Sequence, residues 1–363
     1  MTIPGKTYIS LAIGLLVSGI AGYVTFRHVP FTDLVAYLRG VNYWWSIPSV
    51  AVALASFLVR ILRWQLILLP VKRTGFWSAF HPLMIGFMLN NVLPGRVGEV
   101  ARPAIFSKEE KISFSSVLAT VGVERFFDIF TLLVFFIIVL SVVKVGTGLD
   151  ITFGGYHVNR ATLDSVWLKT LEVLIVIIGG IVFIIMDRTR NWLGRVILRL
   201  PGALFFTSDN LREKIREGLC SRAVRIMDNL AAGLGMMKNA RYMALCLIIS
   251  FLVWILTGLA FYVMALGCPG INISFVEMCA VMIIICFFIM LPSAPGYWGV
   301  FEAGGVFGLM VFGIPVKEAA GFTLANHVIQ MVPIIIIGLV SLFITGARMG
   351  EKAQASGTGE TEM

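Results

Sequence analysis

Between Met88 and Glu99 the chain reads MLNNVLPGRVGE, so a proline, two glycines, an arginine and a carboxylate break into a long apolar region. Helix-breaking and ionisable residues at membrane depth are costly, and where they occur they mark sites, pathways or compensated pairs. Arg96 and Glu99 stand three apart, so a helix starting at Gly95 would project both to one side of its first turn. Such a start also directs free N–H groups and a positive dipole end outward. Together with an arginine able to grip two oxygens at once, this is chemistry that holds a phosphate. Asn90, Asn91 and Arg102 are placed to add hydrogen bonds around the same head group. The competing reading is that Arg96 and Glu99 only neutralise one another, or pair with Glu124, Arg125 and Asp128.

Two further clusters share this character. Glu124, Arg125 and Asp128 interrupt an apolar run, and Arg125 and Asp128 have the spacing of an intrahelical pair that either belongs to the site or props it up. Late in the chain, Pro295-Gly296-Tyr297-Trp298-Gly299 echoes Pro94-Gly95-Arg96-Val97-Gly98, and Glu302 follows it in an otherwise neutral stretch. Glu302 is placed to receive an amino group or a proton. Tyr297 and Trp298 read either as the lining of a lipid path or as interfacial anchors. Arg60 and Arg63 read either as phosphate contacts or, the favoured reading, as side chains that snorkel to the cytoplasmic interface, and His327 as a helix-packing residue.

The elements that carry these residues are membrane helices. The 363 residues are 58% hydrophobic and 13% charged, too apolar for a soluble chain of this length, so the fold is an all-α polytopic membrane protein. The net charge of +9 gathers in loops beside apolar spans, which marks topology and excludes a nucleic-acid role. Five scattered cysteines and four dispersed histidines give no metal-ligand spacing, so free thiols and no cofactor are expected.

In order, Tyr8 to Phe26 reads as a retained first helix, since no clear cleavage site follows it, and Trp44 to Leu69 as a second span. Phe76 to Lys111 has basic turns at both ends and a break in the middle, which reads as a hairpin entering from the cytoplasm. Ser113 to Val143 crosses outward and Trp167 to Met186 returns. The basic connector 187–241 is cytoplasmic, and Trp192, Leu193, Val196, Ile197 and Leu200 give it either an amphipathic helix on anionic lipid or a solvated link. Tyr242 to Leu266 crosses again, Phe275 to Phe312 forms a second broken hairpin with uncharged flanks, and Lys317 to Ile344 returns to a disordered tail at 349–363. About eight helices result, in one domain spanning 1–348, with both termini cytoplasmic. The segments 44–143 and 242–344 repeat the order span, broken hairpin, span. Their opposite flanking charges make this an inverted repeat, with Glu124-Arg125-x-x-Asp128 matched by Asn326-His327-x-x-Gln330.

On Asn90 to Glu99 with Arg102, on Glu124-Arg125-x-x-Asp128 and on Pro295 to Glu302, the sequence resembles the flippase-like family, also described as the lysylphosphatidylglycerol synthase transmembrane region. The resemblance runs from the first helix to Arg348. It implies an inner-membrane protein that moves lipids or lipid-linked head groups between leaflets, expected here as a stand-alone membrane domain without the soluble aminoacyltransferase. The expected function is therefore a flippase for a phospholipid or polyprenyl-phosphate lipid rather than an enzyme. The alternatives are a membrane-embedded transferase acting on polyprenyl-phosphate sugars, with Glu99 or Asp128 as base, and an accessory subunit of a lipid enzyme. Self-association is a further expectation.

Overall fold

Helices form where the apolar runs are unbroken and stop at the glycines and prolines that interrupt them. The computed structural model describes residues 5–27, 29–142, 150–153, 156–159, 165, 168–173, 175–176, 179, 187–203, 209–225 and 239–358. Its helices are α1 (Gly5–Phe26), α2 (Phe31–Gly40), α3 (Ser46–Leu68), α4 (Phe76–Val92), α5 (Gly98–Glu110) and α6 (Phe114–Val142). After a short antiparallel pair, β1 (Asp150–Phe153) and β2 (Tyr156–Asn159), come α7 (Asp187–Arg199) and α8 (Asp209–Ile215). The chain then continues through α9 (Ala240–Ala265), α10 (Phe275–Phe288), α11 (Val300–Val311) and α12 (Val316–Thr358).

The fold is that of an all-α membrane protein. Among the described residues, α3 with the turn before it, α9, and α12 as far as Arg348 are each long and apolar enough to cross a bilayer, and α1 from Ala12 with α2, bent by 80°, is apolar enough for a fourth if the pair is counted as one span. The expected return span from Trp167 to Met186 lies largely outside the described residues. One boundary is corrected: α12 continues through residues 349–358, where a disordered tail is expected from the sequence. Glu351, Lys352, Ala353, Gln354 and Ala355 are strong helix formers, and an existing helix propagates through them without a new nucleus.

Two larger apolar cores, with a smaller one of Ile67, Val123, Phe127 and Cys246 between α3, α6 and α9, hold the bundle. Trp64, Leu83, Met84, Phe106 and Val117 join α3, α4, α5 and α6. Met264, Met278, Val281, Val306, Leu309 and Phe322 join α9 to α12. The two groups interlock, because α3 lies along α9 and α4 lies along α12. Ile13, Leu16, Ile248, Ile336 and Phe343 are exposed, as expected for side chains that face acyl chains.

The two breaks expected from the sequence are both hairpin turns. Between α4 and α5 the backbone reverses through Gly95 at φ +75° and Arg96 at φ +54°, and between α10 and α11 through Gly296 at φ +67° and Tyr297 at φ +61°. Helix α5 starts at Gly98, not at Gly95, because the positive φ values of Gly95 and Arg96 are incompatible with a right-handed helix. The hairpin closes tightly: a Cβ on Gly98 would collide with the Gly86 carbonyl oxygen and sit 2.7 Å from Asn90 Oδ1. Gly98→Ala is therefore expected to lower the melting temperature in detergent by an amount equivalent to about 1–3 kcal/mol. Gly19→Ala, where a Cβ meets nothing within 4 Å, is expected to leave it unchanged.

Candidate functional site: an arginine-rich cavity between the two hairpins

Arg60, Arg63 and Trp64 share one face of α3, and Glu124 and Asp128 share one face of α6. Where these faces meet, Arg63 is fully buried and donates from Nη1 to Asp128 Oδ1 at 2.7 Å and from Nη2 to Glu124 Oε1 at 3.2 Å. Its Nη1 also donates to Ser250 Oγ on α9, at 2.9 Å, and Ser250 in turn donates to the Cys246 carbonyl. Glu124 is shared, since its other oxygen pairs with Arg102 Nη1 at 2.8 Å. Arg125 braces both acids from their own helix, at 3.6 Å from Glu124 and 3.4 Å from Asp128, while Arg60 lies 4.0 Å from Asp128. The Arg125–Asp128 pair has the i, i+3 geometry expected from the sequence.

Aromatic rings replace water around these charges. The Arg102 guanidinium lies 3.6 Å from the centre of the Trp64 ring, and the Trp64 indole is fixed by donating to Thr120 Oγ1 at 3.1 Å. Arg60 lies 5.0 Å from the Trp254 ring, with Phe57 and Phe87 about its flanks. Cation–π contact of this kind stabilises a desolvated guanidinium. The expectation that Arg60 and Arg63 snorkel outward is thus corrected. They point into the bundle because Glu124 and Asp128 present counter-charges there, which outweighs the pull of an interface that α3 reaches only at its end.

In front of this network lies a cavity of about 270 Å³ between the two hairpins. Arg60, Arg96, Arg102, Arg125 and Glu99 line one part of it, with Asn90, Asn91 and Tyr297. Apolar residues such as Leu83, Phe87, Val121, Ile285 and Ile334 supply most of the remaining wall. Arg96 donates from Nη2 to the Ile289 carbonyl at 2.7 Å, tying the first hairpin to the second, and lies 3.8 Å from Glu99. Asn90 and Asn91 serve the backbone as well as the wall: Asn90 accepts from the Gly98 N–H at 2.8 Å, and Asn91 donates to the Phe87 carbonyl.

The free helix start expected at Gly95 is not present. The N–H groups of Gly98, Glu99 and Val100 bond to Asn90, Arg96 and Val97, so guanidinium groups, not backbone amides, are the available donors. Gly95 instead lines a smaller cavity of about 190 Å³ that shares Asn90, Arg96 and Tyr297 with the main one.

Behind the wall residue His327, Glu302 on α11 accepts from the Gly299 N–H at 2.7 Å and pairs with His327 Nδ1 at 2.6 Å. His327 stacks on Phe301 with ring centres 4.0 Å apart, and Trp298 packs against it at 4.6 Å. Gln330, one turn on, donates to Ser49 Oγ, and Ser49 donates to the Ala260 carbonyl, linking α12 to α3 and α9. His327 and Gln330 line the same cavity as Arg125. Of the residues singled out as a site in the sequence, Asn90, Asn91, Arg96, Glu99, Arg102, Arg125 and Tyr297 line this cavity and Gly95, Glu124, Asp128, Trp298 and Glu302 do not; Arg60 and Trp254, which line it, and Arg63 and Ser250, behind it, were not assigned to the site. The signal was available in Glu124 and Asp128, two buried acids whose own helix supplies only Arg125. Among the described residues no group of three or more His, Cys, Asp or Glu side chains is placed to hold a metal, and all five cysteines are free thiols.

These features define a polytopic helical membrane protein with a charged cavity between two helical hairpins. Residues 11–338 match the lysylphosphatidylglycerol synthase TM region, and the chain belongs to that family, which links it to the handling of membrane lipids. It is 24% identical over 300 residues to a UPF0104 membrane protein of Methanothermobacter thermautotrophicus, a match covering 80% of this chain and 82% of that one. A UPF0104 membrane protein of Pyrococcus horikoshii is also 24% identical over 300 residues, covering 79% and 83%.

Removing Arg63 takes from Asp128 and Glu124 their shared hydrogen-bond donor, leaving Glu124 to Arg102 and Asp128 to the longer contacts of Arg125 and Arg60, and breaking a buried pair in this way costs up to about 3–5 kcal/mol. Arg63→Met is expected to show that loss in thermal or chemical unfolding in detergent. Adding Asp128→Asn to Arg63→Met is expected to recover part of it, whereas additive losses would show that the two side chains are not coupled.

Proposed function

We propose that this protein moves a phosphate-bearing lipid between leaflets, with the head group entering the cavity and the acyl chains remaining in the bilayer. The observation that carries this reading is the wall itself: four guanidinium groups and one carboxylate face a space whose remaining wall is mostly apolar, with the polar side chains of Asn90, Asn91, Thr257, His327 and Gln330. Arginines at such a depth are rare unless they serve a path or site. Arg102 and Arg125 would take the phosphate, Glu99 would balance charge at the wall, and Glu124 and Asp128 would hold the arginines in place. Membership of a family named for a lipid synthase supports a lipid as the cargo.

In this reading the two hairpins are re-entrant and the segments around them form an inverted repeat, so that rocking of one against the other exposes the cavity to each leaflet in turn. The basic residues Lys72, Lys108 and Lys111 beside the first hairpin, and the uncharged turns beside the second, support a cytoplasmic mouth for one and an external mouth for the other. The membrane would be the inner membrane, with both termini cytoplasmic.

Two experiments test the reading. In proteoliposomes with fluorescent phospholipids, Arg102→Gln is expected to slow transbilayer movement at least about tenfold, the loss expected for a charge-assisted hydrogen bond. An unchanged rate in a folded variant contradicts the assignment, and product formation without movement favours a transferase. In a cysteine-free background, Ser107→Cys is expected to react only from the cytoplasmic face and Pro315→Cys only from the outer face; labelling of both from one face contradicts the inverted repeat.

A further inference from the structure

The charges around the cavity do not cancel. Arg60, Arg63, Arg96, Arg102 and Arg125 face only Glu99, Glu124 and Asp128, an excess of two positive charges. Glu302 does not line the cavity: it is 1% exposed and held by His327 Nδ1 at 2.6 Å and by the Gly299 N–H, so it is not among the groups that meet the arginines. Uncompensated charge away from water is expensive, and the wall is correspondingly attractive to an anion that cancels it.

The donors left over have a matching shape. Arg102 is 4% exposed and pairs with Glu124 through Nη1 alone. Its Nε and Nη2, the edge of the guanidinium that grips two oxygens side by side, have no hydrogen-bond partner although they are buried. Arg125 Nε and Trp254 Nε1 on the same cavity wall are likewise without partners. A buried donor without a partner is costly unless a ligand supplies one. A phosphodiester offers one charge and two terminal oxygens, while a phosphomonoester offers two charges and three, and a diphosphate ester at least two charges.

Resting on the lipid-transport reading above, we infer that the cavity selects lipid head groups bearing two negative charges on phosphate, a phosphomonoester or diphosphate ester, over phosphodiesters. Such a group neutralises the excess and occupies the Arg102 edge with an oxygen to spare for Arg125 or Trp254. A phosphodiester leaves one positive charge and at least one donor unmet.

The test is equilibrium binding to the purified full chain in detergent, comparing dioleoyl phosphatidic acid, dioleoyl phosphatidylglycerol and the soluble phosphomonoester glycerol 3-phosphate. At pH 8 the phosphatidic acid is expected to bind at least about tenfold more tightly than the phosphatidylglycerol, as the extra charge-assisted bonds imply. At pH 5 the advantage is expected to fall towards parity, because a phosphomonoester dianion takes up a proton near pH 6 and becomes a monoanion. Arg96→Gln, which also removes the bond to the Ile289 carbonyl and is therefore compared at equal thermal stability, reduces the excess to one and is expected to remove the preference at pH 8. Equal binding of the two lipids at pH 8 overturns the inference and leaves lipid transport standing. Lipid binding that is indifferent to Arg102→Gln overturns both. Glycerol 3-phosphate binding as tightly as phosphatidic acid overturns the lipid as ligand and retains the doubly charged phosphate.

Discussion

Arg63 carries its charge with no access to solvent, and everything around the cavity depends on how that charge is met. Two carboxylates from α6 and a hydroxyl from α9 converge on it, so three helices are fixed relative to one another by one guanidinium group. A buried ion pair stabilises a fold less than its short distances suggest, since each partner first loses its water. What it provides here is position. With Glu124 and Asp128 held by Arg63, both acids are set to orient Arg102, Arg125 and Arg60 at the cavity wall without cancelling them.

The packing around the network serves the same end. Trp64 presents its ring to Arg102 and ties its own indole to Thr120, so the guanidinium is held from behind by a surface that competes for none of its donors. The hairpin between α4 and α5 can bring Arg102 to that position only because Gly98 lets the two helix backbones touch at Gly86. Arg96, outside the buried network, bonds to the Ile289 carbonyl of the second hairpin. The same side chain therefore faces the cavity and joins the two broken elements whose relative movement the transport reading requires.

Much of this was legible in the sequence because its signals are local. Breaks at Pro94-Gly95 and Pro295-Gly296 interrupt apolar runs, and they are turns; Asn90, Asn91, Arg96, Glu99, Arg102, Arg125 and Tyr297 line the cavity that those turns enclose. What was not legible depends on which face of one helix meets which face of another. Arg60 and Arg63 sit near the end of α3, and nothing in their own segment says that Glu124, Asp128 and Ser250 lie opposite. The helix start was misplaced by three residues, since Arg96 adopts a positive φ that is uncommon for arginine. His327 became part of the site only through Glu302, a partner on another helix.

The central claim is that a lipid phosphate occupies the arginine-lined cavity. A phospholipid with a photoreactive group beside its phosphate, incorporated in nanodiscs with the full chain and mapped by peptide mass spectrometry, tests this most directly. The account expects cross-links within Phe87–Arg102 and Phe301–Met331, reduced by Arg102→Gln. Cross-links confined to the outward-facing surfaces around Ile13, Leu16 or Phe343, and indifferent to that substitution, would contradict it.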